Sequence, residues 1–171
     1  MKRIFSHPPK MFTVDEIKRR ESKKIDHGNG ESYQGTLVNG LKDGFGRNTW
    51  KTKDVYSGEW VADKQTGWGE THWCLGGFYI GQYDNDDKHG VGKYVWQDNN
   101  VYTGHWHRNS MHGLGKYKFS DGRKYIGHWK EGLFHGLGVF SWGKSRRYEG
   151  YWAHGKKTGE GKNFYMDQGK K

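Results

Sequence analysis

From Tyr33 onward, large apolar residues stand at alternate positions for a few residues, give way to polar ones and glycine, and then return. Tyr102-Thr-Gly-His-Trp106 shows the unit. Alternate residues of a strand share a face, so Tyr102, Gly104 and Trp106 point one way and Thr103 and His105 the other. A second alternating run follows, placing Gly115, Tyr117 and Phe119 together. Links such as Ser120-Asp121-Gly122 carry residues suited to tight turns. Each pair of runs therefore predicts a β-hairpin.

The hairpin recurs at a fixed period. Tyr-x-Gly begins at Tyr33, Tyr56, Tyr79, Tyr102, Tyr125 and Tyr148, each 23 residues after the last. Four residues after each Tyr stands Leu37, Trp60, Tyr83, Trp106, Trp129 or Trp152. Eleven residues after each Tyr begins a Gly-x-Gly, from Gly44/Gly46 to Gly159/Gly161. Four residues past its second Gly comes another ring: Trp50, Trp73, Trp96, Phe119, Trp142 or Tyr165. Glycine weakens a strand unless something needs the space. A ring lying flat on the sheet needs that space, and a cross-strand Gly leaves it. The Gly-x-Gly itself is expected at the tight turn, where positive φ favours glycine. Six hairpins in sequence order predict twelve strands in an all-β, single-layer antiparallel meander. At about 4.8 Å per strand this is an elongated, twisted ribbon of roughly 60 Å.

Residues 1–30 lie outside this period. Thr13-Val14-Asp15-Glu16 has the form of a capping box, with Phe12 and Ile17 placed as a hydrophobic staple. A short N-terminal helix over about 13–24 is expected, either capping the first edge strand or docking on a partner or an anionic surface. The division is thus a basic extension, 1–30, and six repeats, 31–171.

The Tyr-x-Gly-x-Trp pattern, its polar loop and its Gly-x-Gly together resemble the MORN (membrane occupation and recognition nexus) repeat, over about four-fifths of the chain. The resemblance implies serial β-hairpins in one elongated sheet. It also implies a protein-binding scaffold, a dimerisation module or a contact to acidic phospholipids. Members of the family it resembles include junctophilins, lysine methyltransferases, phosphoinositide kinases, radial-spoke proteins and cytoskeletal proteins of protozoa, and the assembly this resemblance favours is cytoskeletal or axonemal. The first repeat departs from the pattern at Leu37, and the second and third have Asp63 and Asp86 where Gly40, Gly132 and Gly155 stand elsewhere.

Composition narrows the function. Only 32% of residues are hydrophobic, half of them aromatic, and 28 are glycine, so any core is made of rings over glycines. The one cysteine, Cys74, cannot form an internal disulfide, and the N-terminus lacks the apolar run of a secretory signal. A cytoplasmic protein is expected, and the family resemblance adds the cytoskeleton or a cilium as its place. The net charge of +10 is uneven: +4 over residues 1–30, −1 over 31–122 and +7 over 123–171.

No catalytic constellation is recognisable, and the expectation is a non-enzyme without cofactor. His89, His112 and His135 recur at one repeat position, but sites two strands apart lie about 10 Å from each other. That is too far for one zinc, so no metal site is expected. The Gly-x-Gly elements preceding Lys93, Lys116 and Lys162 lack phosphate-loop spacing and precede no helix. His72 and Cys74 share a strand face, which reads as repeat variation. A protein partner, a helix or extended segment, is expected on Trp60, Tyr83, Trp106, Trp129 and Trp152, because one sheet cannot cover both of its faces. Acidic phospholipids are the alternative, through Arg123, Lys124, Arg146, Arg147, Lys156 and Lys157. Nucleic acid is not expected, since the rings serve the hairpins. The terminal repeat edge is a candidate for homodimerisation by strand addition.

Overall fold

The computed structural model describes residues 22–165. These form one open antiparallel sheet of thirteen strands whose spatial order is the chain order. The strands are β1 (Ser22–Asp26), β2 (Ser32–Val38), β3 (Leu41–Thr49), β4 (Val55–Val61), β5 (Lys64–His72), β6 (Phe78–Asp84), β7 (Asp87–Val95), β8 (Val101–His107), β9 (Ser110–Lys118), β10 (Lys124–Lys130), β11 (Leu133–Trp142), β12 (Arg146–Ala153) and β13 (Lys156–Tyr165). Each repeat supplies one hairpin, β2–β3 through β12–β13.

The first strand corrects the N-terminal expectation. Ser22, Lys23 and Lys24, taken as the end of a helix, belong to β1, which pairs with β2 from Ser22↔Thr36 to Asp26↔Ser32. The rest of the expected helix, 13–21, lies outside the described residues. The physical reason for β1 is the bare edge of β2, whose backbone groups gain partners from any adjacent extended chain. A short loop permits it: the Gly28 N–H donates to Asp26 Oδ1 at 2.9 Å, and the Glu31 N–H to Asn29 Oδ1.

The turns also differ from expectation. Within each hairpin, the loop is a two-residue pair with both φ positive: Asn39-Gly40, Ala62-Asp63, Asn85-Asp86, Arg108-Asn109, Glu131-Gly132 and His154-Gly155. Such pairs match the right-handed twist of the strands they join. The Gly-x-Gly lies farther along, inside the returning strand. Its first glycine is left-handed, as at Gly113 with φ of 57°, and marks a break in register. There Gly104 pairs with Gly115 but His105 pairs with His112, so Gly113 and Leu114 bulge out. A bulge of this kind bends the sheet and raises its twist.

The core is a chain of rings on one face. Tyr33, Tyr56, Tyr79, Tyr102 and Tyr125 are fully buried. Each lies over the two glycines paired across its hairpin, as Tyr102 does over Gly104 and Gly115. Its hydroxyl donates to the carbonyl three residues on, Tyr102 to His105 at 2.8 Å and Tyr79 to Gln82 at 2.9 Å. The turn residue then docks on the preceding repeat: the Asp63 N–H donates to the Lys42 carbonyl at 2.9 Å, and Asn109 repeats this on Lys88 at 3.0 Å.

Candidate partner-binding surface

Two rows of rings run along the core face. In the inner row, consecutive residues meet edge to face: Tyr79–Trp106 at 5.4 Å, Trp106–Tyr102 at 5.1 Å, Tyr102–Trp129 at 5.2 Å and Trp129–Tyr125 at 5.2 Å between centroids. Edge-to-face contact places the positive rim of one ring on the negative face of the next. Each indole N–H donates to a glycine carbonyl of the preceding repeat, Trp60 to Gly46 at 3.1 Å and Trp152 to Gly138 at 3.2 Å. Tyr83 fills the tryptophan position in the third repeat, and its hydroxyl bonds Thr71 Oγ1 at 2.6 Å instead.

This assigns the expected contact residues to the interior. Trp60, Tyr83, Trp106, Trp129 and Trp152 keep only 3–6% of their surface, so they lock repeat to repeat and offer a partner almost nothing. Sequence alternation correctly puts them on the ring-bearing face. It does not show that each wedges between two tyrosines of neighbouring repeats.

The outer row is the accessible one. Trp73, Tyr94, Trp96, Tyr117, Phe119 and Trp142 are partly buried against the core. With Phe140 they form a continuous run: Trp73–Tyr94 at 4.9 Å, Tyr94–Trp96 at 4.3 Å, Trp96–Tyr117 at 5.3 Å, Tyr117–Phe119 at 4.6 Å, Phe119–Phe140 at 5.8 Å and Phe140–Trp142 at 4.5 Å. Phe140 itself is buried. The signal for this row was in the sequence, as the rings two and four residues past the second Gly, Tyr94 and Trp96 after Gly92 or Tyr117 and Phe119 after Gly115.

Lysines cover the rings from above. Lys88 Nζ sits 5.6–6.0 Å from the centroids of Trp73, Tyr79, Tyr94 and Trp106. Burial among them holds its ammonium below the ordinary lysine range, an effect Asp87 opposes. Lys42 stands 4.6 Å over Trp60, and Lys157 lies 4.0 Å over Tyr148 and 4.9 Å over Trp142. Such cation–π contacts gain strength when desolvated.

The six cations named from the sequence do not form one patch. Arg146 stacks on Trp142 at 4.4 Å, on the ring face with Lys157. Arg147 faces the opposite side, stacked on Phe164 at 4.4 Å and bonded to Glu149 at 2.6 Å. Arg123 lies over Phe119 and pairs with Asp121 at 2.6 Å. Lys124 and Lys156 are exposed. Elsewhere, Cys74 is exposed, while His72 stacks on Phe78 at 5.5 Å. His89 lies 5.2 Å from His107, and His107 lies 5.6 Å from His112, between centroids. Among the described residues no group of three His, Cys, Asp or Glu is arranged to hold a metal ion.

Comparison with known proteins agrees with the repeat. The MORN repeat family model matches residues 33–55, 56–74, 79–101, 102–122, 125–145 and 148–162, each match starting on or within the observed hairpins. No curated protein matches. Among solved structures, the TCP domain of SAS-4 (dCPAP) from Drosophila melanogaster, in complex with a proline-rich motif of Ana2 (dSTIL), is similar at 8% sequence identity and a TM-score of 0.31. The match covers 96% of this chain and 100% of that one.

Proposed function

Because the chain belongs to the MORN repeat family, a binding type of repeat, we propose that it is a non-catalytic scaffold holding a protein partner along its ring-bearing face. The observation that carries this reading is the outer row from Trp73 to Trp142, half-exposed and roofed by Lys88 and Lys157. Apolar rings with adjacent cations suit a helix or extended segment that brings aliphatic and acidic side chains together. The assembly we propose is cytoskeletal or axonemal, in the cytoplasm or a cilium, as the family pattern implies. A contact to acidic phospholipids is the lesser reading, since a flat membrane meets only one face and the six cations divide between two. Strand addition at β13, exposed at every position, is the dimer compatible with this scaffold.

The test is cross-linking mass spectrometry on tagged protein purified gently from its own cells, beside a Trp96→Ser/Trp142→Ser variant. The expected result is one protein cross-linked near the ring face of the parent chain and lost from the variant. Retention of that protein by the variant, or recovery of acidic lipid with no protein, would overturn the reading.

A further inference from the structure

The face opposite the rings changes in composition along the ribbon. Strands β3 to β6 turn Glu59, Glu70 and Asp84 toward it, with Arg47 and Lys64 beside them, as their pairing shows: Glu59 with Phe45, Ser57 with Arg47 and Glu70, Val61 with Lys64, and Asp84 with Asp87. From β8 to β11 the same repeat positions carry imidazoles and lysines. Asp84 is replaced by His107 and Lys130, Glu59 by His105 and His128, and Glu70 by Lys116. The hairpin does not require imidazole or lysine there. Glu59 and Gln82 accept the bulge N–H of Trp68 and Val91 at 2.8 and 2.9 Å. His105 and His128 meet the same bulge through the carbonyls of Leu114 and Leu137, at 3.0 and 3.2 Å. Acid, amide and imidazole all serve the fold.

On this half an open pocket of about 430 Å³ spans β9 to β12, walled by His112, His128, Lys130, His135, Leu137 and Tyr151, and no carboxylate lines it. Aliphatic side chains stand exposed around it, Leu114 at 55%, Ile126 at 53% and Leu137 at 53%. We propose that this pocket binds an acidic, aliphatic-bearing extended protein segment, with a carboxylate among the imidazoles and Lys130 and an apolar side chain against Leu137 and Tyr151. The Lys130 charge, unopposed by any lining carboxylate, selects the acid, the imidazoles add hydrogen bonds, and the exposed leucines select a peptide over a bare polyanion. An extended chain of about six residues spans the two repeats, roughly 20 Å. This site is separate from the ring face and stands whether or not a partner lies there.

The test uses fluorescence anisotropy with a labelled peptide of about ten residues, long enough to cross the pocket, in which Glu alternates with Val and Ser. The variant is His128→Gln/Lys130→Val/His135→Thr, each replacement being the residue another repeat carries at that position: Gln82, Val61 and Thr66. The fold is thereby kept, and circular dichroism checks it. Binding by the parent chain is expected to weaken at least about tenfold in the variant, and to persist in Glu59→Gln and in Trp96→Ser/Trp142→Ser. Equal affinity of parent and variant would overturn the proposal. So would failure to bind the peptide, including the case where an RNA oligonucleotide or anionic vesicle binds instead and is lost in the variant.

Discussion

Tyr102 and Gly115 share one volume: a Cβ on residue 115 would lie 2.5 Å from Tyr102 Cε2 and 2.6 Å from Cζ. The ring is flat on the sheet because the glycine is bare. Gly115→Ala must lift the buried ring or shift the backbone, and overpacking of this kind costs about 3 kcal/mol. Urea denaturation of the variant should show that loss. Gly161→Ala, in the last hairpin, should cost global stability less, because a terminal repeat can open alone.

The third repeat offers a cleaner test of a single bond. Tyr83 and Thr71 are both buried and bond through their hydroxyls at 2.6 Å. Thr71→Val strands the phenol and should cost about 1–3 kcal/mol. In a Tyr83→Phe background the same change should be nearly neutral. The double-mutant cycle, read by denaturant midpoints, gives the coupling directly.

Alkaline pH should unfold the ribbon by a definite route. Burial pushes Tyr33 and Tyr125 from the ordinary 10.0 up to about 12, and raises Tyr56, Tyr79, Tyr83 and Tyr102 further. A raised folded value means the folded state holds protons that the unfolded state releases. Their contribution is therefore complete below pH 10 and is lost as pH rises through about 12. Phenolate absorbance of these buried tyrosines should rise together with the loss of circular dichroism. One smooth transition centred near pH 10 would contradict the buried ladder.

Ala62 is the residue least suited to its place. It sits at φ of 46° in a two-residue turn, where the equivalent positions in two other repeats are Asn39 and Asn85. Asparagine tolerates the left-handed region better than alanine. Ala62→Asn should stabilise the protein by about 0.5 kcal/mol, visible as a higher denaturant midpoint with an unchanged slope. Asp63 is left intact because its carboxylate accepts the Lys42 N–H at 2.8 Å.

Much of the fold was readable because period-two alternation and a 23-residue step state which residues face together. β1 was not readable: Ser22-Lys-Lys-Ile-Asp26 has neither the ring nor the glycine of a repeat strand, and its conformation comes from the edge it pairs with. The Gly-x-Gly was misplaced because a left-handed glycine serves a bulge as well as a turn. The turn proper uses pairs such as Arg108-Asn109, which advertise it weakly. The burial of the expected contact rings was hidden for a related reason. Alternation gives the face of Trp106 but not its hydrogen bond to Gly92, fourteen residues back, or its place between Tyr79 and Tyr102. Those depend on how one repeat leans on the next.

Strand order that follows chain order has a consequence for biosynthesis. Every strand from β2 onward pairs with the one just before it. A nascent chain leaving the ribosome therefore finds each partner already present, and no segment waits for a distant one to be translated. Loop closure is short throughout, which favours rapid folding. Each newly finished hairpin covers the open edge of the last, so the growing end of the polypeptide exposes one unpaired strand at a time to aggregation.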